Sequence, residues 1–305
     1  MLSFNKFFPL KKYFLEILIL INFLFEALTG FFMLFYYIPS MGKGYESTLF
    51  IIRDVAFGYY FFNMHLWGAN FLLFFSILEI VKIFYYKLYE NNKFLWVFTF
   101  LFLLFLFFEY FTGILLPMEN NLYWEVERIM EIIRDIPILN FIYSFFFGNF
   151  LINEFVHIRF YIFHSLIIPF LSIVILILIF LKFERENVHN FYFFDIFIIF
   201  TIFLGILLTL SILFPFKHVE IYNPFKTPPK VYLPLFILPV YFLKIYMPKT
   251  LFGLFILLAI LLIFILPWID KSKPLPLHKR KISLIISLIV LITILITGIF
   301  GFYRQ

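Results

Sequence analysis

Cysteine is absent from the 305 residues. That excludes disulfides, thiolate metal sites, iron–sulfur clusters and thioether-linked haem carried by this chain. Charge is also scarce: Asp, Glu, Lys and Arg make up 14% of the residues, against about 25% in a soluble globular protein. A cleavable leader is not expected either, because the first apolar run, Tyr13 to Ile38, is too long and has no small-residue cleavage site. What fills the chain instead is apolar. Hydrophobic residues account for 64% and aromatic residues for 25%, which rules out a water-soluble enzyme, a disordered chain and a solenoid of polar-faced repeats. The apolar residues come in runs of roughly 20, each long enough to cross a bilayer as a helix. The chain reads as an all-α integral membrane protein.

Eight spans are expected: A over 14–38, B over 57–86, C over 94–116, D over 160–182, E over 192–214, F over 232–247, G over 250–268 and H over 282–300. Eight crossings put both termini on one side. Lys6, Lys11, Lys12, Lys82, Lys87, Lys93, Lys182 and Arg185 then share that side, and the excess of cations makes it cytoplasmic. Lys271, Lys273, Lys279, Arg280 and Lys281 fall on the other side and break the rule. The net charge of +6 lies mostly in short loops, so it reads as membrane topology and not as nucleic-acid binding. The long connection 117–159 has the mixed pattern of surface-lying amphipathic helices. Pro215, Pro224, Pro228 and Pro229 make 215–231 an ordered, non-helical connection.

A charged or imidazole side chain in hydrocarbon costs about 2.5–3.5 kcal/mol on insertion scales, so each one is a functional candidate. They are Glu16, Glu26, His65, Glu79, Glu109, His164 and Asp195. Two histidines on separate spans can supply both axial imidazoles of a b-type haem. The same pair also reads as two unrelated histidines hydrogen-bonded inside the bundle. His157, His189, His218 and His278 fall in loops and read as surface residues, the last two on the outer side where a partner could dock.

The neighbourhoods are more specific. Around His65 stand Arg53-Asp54-Val55-Ala56-Phe57-Gly58-Tyr59 and Met64-His65-Leu66-Trp67-Gly68-Ala69-Asn70. Around His164 stand Arg159-Phe160-Tyr161-Ile162-Phe163-His164 and, five residues on, Pro169. Between them lie Thr112-Gly113-Ile114-Leu115-Leu116-Pro117 and Tyr123-Trp124, and later comes Asn223-Pro224-Phe225-Lys226-Thr227-Pro228-Pro229. In this order and spacing the segments resemble cytochrome b, the membrane subunit of quinol–cytochrome c and plastoquinol–plastocyanin reductases. The likeness runs from about Glu26 to Lys273.

The resemblance implies a haem-binding four-helix bundle of A to D (residues 1–190) and a C-terminal helical part, E to H (residues 191–305). Family members hold two haems in that bundle, each between one His of B and one of D. The two His of a helix are 14 or 15 residues apart, which stacks the irons at depths about 21 Å apart. Here one site persists. His65 and His164 match the axial ligands of the outer haem, Gly30 and Gly113 its packing glycines, and Arg159 an arginine close to its propionates. At the inner site Glu79 and Ile179 stand where ligands belong, and Glu16 and Thr99 stand where glycines belong. A single haem b is therefore expected, with Glu16, Glu79 and Lys82 filling the inner volume.

The quinol site departs from the family too. Its Pro-Glu-Trp-Tyr motif falls on Leu233-Pro234-Leu235-Phe236, so the proton-accepting carboxylate is gone. Glu109 lies at a suitable depth to replace it, or else is a neutral acid hydrogen-bonded in the bundle. Asp195 matches an acidic residue that serves quinone reduction. With one haem, a conventional quinone cycle is not expected. The favoured reading is a subunit of the cytoplasmic membrane that passes electrons between the quinone pool, or a partner's redox centre, and an outer Rieske or c-type cytochrome protein, as a homodimer if it follows its relatives. The competing readings are a structural anchor derived from cytochrome b and a transporter of unrelated fold.

Overall fold

A computed structural model describes residues 14–90, 92–136, 140, 143–145, 148, 152–182, 193–216, 220–272, 275 and 277–303. Its helices, in chain order, are α1 Phe14–Leu34, α2 Gly44–Arg53, α3 Gly58–Tyr86, α4 Lys93–Leu115, α5 Asn120–Arg134, α6 Glu154–Ile162, α7 Ile168–Lys182, α8 Phe193–Leu213, α9 Leu238–Tyr246, α10 Lys249–Ile269 and α11 Lys281–Tyr303. A π turn, Phe163–Ile167, welds α6 to α7. Among the described residues there is no strand, only an isolated antiparallel bridge between Glu119 and Ile221.

The helices α1, α3, α4 and α6–α7 form a four-helix bundle. Its apolar centre is packed by Ile19, Phe23, Leu72, Leu73, Phe102, Leu103, Leu106 and Ile175. α8 lies against α1 and α3 through Phe203 and Leu207, which meet Phe25 and Met64. α10 lies against α4, where Trp96 Nε1 donates to Ile263 O at 2.8 Å. α9 and α11 pair so closely that a Cβ on Gly301 would stand 2.5 Å from Leu238 O. Most apolar side chains of α11 face outward, as expected of a helix in lipid. The turn into α3 demands its glycine, because a Cβ on Gly58 would lie 1.9 Å from Ile51 O.

Seven described helices are long and apolar enough to span, not eight. The stretch expected as span F yields only α9, nine residues long. Nine residues rise about 14 Å, half a bilayer. Pro234 precedes α9 and Pro239 opens it, so the chain cannot run helically through 232–238. With seven crossings the start of α1 and the end of α11 lie at opposite ends of the bundle, which revises the expectation of both termini on one side. The revision also removes the conflict over charge. Arg280 Nη2 donates to Phe84 O at 2.6 Å, so Lys271, Lys279, Arg280 and Lys281 gather at the α3 C-terminus with Lys82 and Lys87. Lys6, Lys11, Lys12, Arg185 and Lys273 lie outside the described residues.

At the opposite, outer end α5 is the expected surface helix. Glu119 caps it, accepting from the backbone N–H of Asn121 and Leu122 at 2.9 and 3.1 Å. Glu125 faces inward from α5 and is buried. Burial, with the charge of Glu119 nearby, pushes its carboxyl from the ordinary value near 4.5 up to about 8. A raised carboxyl favours the fold below its unfolded value and penalises it above. The native state is thus expected to lose about 1.4 kcal/mol per pH unit between those two values. Glu125→Gln should flatten that slope in unfolding measurements at pH 5 and pH 8, and equal slopes would exclude Glu125 as its source.

Candidate functional site: an imidazole pair at the outer end of the bundle

His65 projects from α3 and His164 from the π turn. The extra residue in that turn follows from Pro169, which lacks the N–H that would bond the carbonyl of Ser165. Ile168 N–H reaches back to Phe163 O instead. The two imidazole rings lie beside each other, centroids 6.0 Å apart, with their planes nearly perpendicular at 83°.

Each ring is held by its Nδ1. His65 Nδ1 lies 2.9 Å from Thr29 Oγ1 and 3.0 Å from Glu26 Oε2. Thr29 spends its own proton on the carbonyls of Phe25 and Glu26, so it accepts from His65. His164 Nδ1 lies 3.0 Å from Glu109 O, which can only accept, and 3.2 Å from Glu109 Oε1. Both rings therefore carry their proton on Nδ1 and keep the Nε2 lone pair. That is the tautomer of an imidazole ready to bind a metal.

The cavity around the pair has a volume of about 280 Å³. Its wall includes Glu26, Gly30, His65, Glu109, Gly113 and His164. Both expected glycines sit against the imidazoles: a Cβ on Gly113 would stand 2.5 Å from His164 Cε1, and one on Gly30 3.3 Å from His65 Cε1. The donor set, the tautomers and the glycine clearance fit a bis-imidazole haem.

Other expected residues lie nearby or elsewhere. Pro234 and Phe236 belong to the segment before α9, and Phe236 stacks near Phe107 and Tyr110 of α4, with centroids 5.2 and 5.3 Å away. Arg159 is exposed, donates to Phe145 O at 3.2 Å and lies outside the cavity wall. Asp195 stands in the first turn of α8, at the inner end. At that inner end Glu16, Glu79, Thr99 and Ile179, the four substituted positions, line one void of about 20 Å³.

Two histidine expectations change. His157 is fully buried in α6, where its Nε2 meets Tyr37 Oη at 2.9 Å. Tyr37 gives its proton to Leu116 O at 2.6 Å. The aromatic i+3 and i+4 neighbours Phe160 and Tyr161 signalled a helix there. His278 lies at the inner end, 2.8 Å from Tyr85 Oη, and not on the outer side. His189 and His218 fall outside the described residues. Glu26 gained no partner from sequence reasoning; its place three residues before Thr29, on the face of Gly30, was the available signal.

Comparison with known proteins agrees with this geometry. Residues 9–191 match the family described as Cytochrome b/b6/petB, and residues 221–304 match Cytochrome b(C-terminal)/b6/petD. Cytochrome b6 of Prochlorococcus marinus (strain NATL1A) and of Synechococcus sp. (strain WH7803) are each 26% identical over 171 residues, 55% of this chain and 78% of theirs. A chain of a solved structure titled "Hyperthermophilic respiratory Complex III" superposes with a TM-score of 0.82 at 22% identity, covering 96% of this chain and 84% of that one. The likeness to that structure is one of fold. The family is one of haem b proteins, and its matched region contains both imidazoles. This chain is a multi-pass membrane protein that belongs to the cytochrome b family.

Proposed function

We propose that the chain is the membrane electron-transfer subunit of a respiratory complex of the Complex III kind. It carries a single b haem on the outer side, between His65 and His164. Electrons pass between the quinone pool, or a partner's redox centre, and an outer Rieske or c-type cytochrome protein.

The contrast between two sets of four residues supports this reading. Gly30, His65, Gly113 and His164 border about 280 Å³, while Glu16, Glu79, Thr99 and Ile179 close down to about 20 Å³. A porphyrin needs the first kind of volume and cannot enter the second. The haem supplies one-electron chemistry when bound, and bis-imidazole ligation leaves its iron no open position. The chain's own contribution is to hold both Nδ1 protons, exclude water with apolar walls and fix the two imidazoles near each other with their planes almost perpendicular. Without an inner haem the electron relay across the bilayer is missing, so a conventional quinone cycle is not part of the proposal.

The remaining roles complete the reading. Glu109 lines the cavity beside Tyr110 and has a buried Oε2 without a partner, so it accepts the quinol proton. Pro234 and Phe236 border the quinol, Asp195 serves quinone at the inner end and Arg159 pairs with a propionate. Residues 1–190 and 191–305 act as the haem-bearing and the quinone-bordering units. The lysine-rich inner end faces the cytoplasm, in the cytoplasmic membrane, and the subunit pairs with a second copy.

A reduced-minus-oxidised spectrum of the purified protein, with iron stoichiometry, tests this. One b haem per chain, reducible by quinol, is expected. Glu109→Gln should keep the haem but slow its reduction by quinol, and unchanged kinetics would remove Glu109 from the reaction. A haem that never turns over would make the chain a structural anchor. Two haems, or none, would overturn the proposal.

A further inference from the structure

The inner end of the bundle holds a second, smaller polar centre. Glu16 on α1, Ser76 and Glu79 on α3 and Thr99 on α4 surround the void of about 20 Å³. Lys82 Nζ lies 2.6 Å from Glu16 Oε1 and 2.8 Å from Glu79 Oε2. One ammonium thus bridges two carboxylates. Thr99 Oγ1 is spent on Leu95 O at 2.8 Å.

Three oxygens around the void have neither a hydrogen bond nor an ion pair: Glu16 Oε2, Glu79 Oε1 and Ser76 Oγ. Their side chains are all at least nine-tenths buried. Ser76 is the most telling. Ser165 and Ser211 return their hydroxyls to the carbonyl four residues earlier, at 2.7 Å each, which is what a serine in an apolar helix does. Ser76 forgoes that bond and its hydroxyl is left at the void. Buried polar atoms without partners mark a bound water or ion. A void above roughly 10–15 Å³ admits one water, and this one admits no second.

Charge decides what else is bound. α1 contributes Glu16, and α3 contributes Glu79 and Lys82. α4 and α7 bring Thr99, Phe102, Leu176, Ile179 and Phe180, none of which titrates. Two carboxylates against one ammonium leave one negative charge uncompensated in hydrocarbon, which is unfavourable. A hard metal cation wants six or more oxygens, and three are free. A proton needs a single oxygen, cancels the charge and turns one carboxyl into the donor that the orphaned acceptors lack.

We propose that Glu16, Ser76 and Glu79 form a proton-binding site built around one water, with Lys82 as its fixed counter-charge. The inference rests on the single-haem reading, because a porphyrin cannot share this volume. Lys82 Nζ is itself buried, while 21% of its side chain is exposed, so the inner aqueous phase from which the proton comes is reached along the Lys82 stem.

Infrared spectroscopy of the full chain in liposomes at pH 7 tests this through the carboxylic-acid C=O stretch and its shift in D2O. Glu16→Gln and Glu79→Gln should each delete the same band, because the carboxylate left behind is paired one-to-one with Lys82. Lys82→Met should do the opposite and double the band. Ser76→Ala, which leaves every charge in place, should shift the band without removing it. A band indifferent to both glutamate variants overturns the proposal, and so does one that disappears on adding sodium in place of potassium. Two haems per chain would remove the single-haem reading itself, whereas one haem with no such band removes only this site.

Discussion

His65→Ala and His164→Ala should each abolish the b-type absorbance of the purified protein, while His157→Ala should leave it in place. The three histidines differ in what their nitrogens are doing. His65 and His164 give Nδ1–H to Thr29 and Glu109 O and keep Nε2 for a metal, with ring centroids 6.0 Å apart. His157 spends Nε2 on Tyr37 and does not line the cavity. On the proposed assignment, removing either imidazole would leave a bound haem with one protein ligand in place of two. The apo bundle should still fold, because its apolar core lies mainly below the imidazoles, in Ile19, Phe23, Leu72, Phe102 and Leu103. The checks are the reduced-minus-oxidised spectrum and size-exclusion behaviour of each variant. Retention of a full b-type spectrum in either the His65 or the His164 variant would refute the ligand assignment. Gly113→Val should mimic the loss in part, since its Cβ alone would stand 2.5 Å from His164 Cε1.

The site was readable from the sequence because the membrane makes polar residues rare. His65 and His164 stand out against apolar runs on any reading, and counting 14 and 15 residues onward pointed to Glu79 and Ile179. Glu16, Thr99, Glu79 and Ile179 then meet around one void, although they come from four separate helices. What escaped the sequence lives in backbone detail and long-range contacts. The π turn at Phe163–Ile167 depends on how one proline is accommodated. The break of span F depends on Pro234 and Pro239 acting within an apolar stretch whose hydropathy alone suggests a crossing. That misreading propagated, because one crossing too many inverted the side assigned to every later residue. His157 was misplaced because it lies before span D, in the stretch read as loop, and only the tertiary contact with Tyr37 buries it.

Arg280→Ala should destabilise the protein by about 3–5 kcal/mol, the cost of leaving one half of a buried ion pair alone. Arg280 opens α11, where a cation opposes the helix dipole, so its benefit has to lie elsewhere. Its guanidinium, 2% exposed, reaches across to the end of α3. Nη2 donates to Phe84 O at 2.6 Å and Tyr85 O at 3.4 Å, carbonyls from the last turn of that helix. Nη1 donates to Asp270 Oδ2 at 2.9 Å, and the group lies 5.2 Å over the Phe84 ring. Asp270 is shared further: Tyr89 Oη and Ser272 N–H donate to it, and Lys87 Nζ donates to Ser272 O. Burial pushes the Asp270 carboxyl up, but the hydrogen bonds from Ser272 and Tyr89, with Lys87 nearby, hold it below the ordinary carboxylate range. The network fastens α10 and α11 to the four-helix bundle at the inner end, with Lys93 over the Trp268 ring beside it. Truncating Arg280 removes the ion pair from Asp270 and the donor from the last carbonyls of α3 at once. Arg280→Lys should recover only part of the loss, because an ammonium cannot fork to a carboxylate and two carbonyls together. Arg280→Met with Asp270→Asn should cost less than Arg280→Ala, since no lone charge is left behind. Thermal unfolding in lipid nanodiscs reads all four proteins, and equal stability of Arg280→Ala and the parent would mean that the α3 terminus is held by something else.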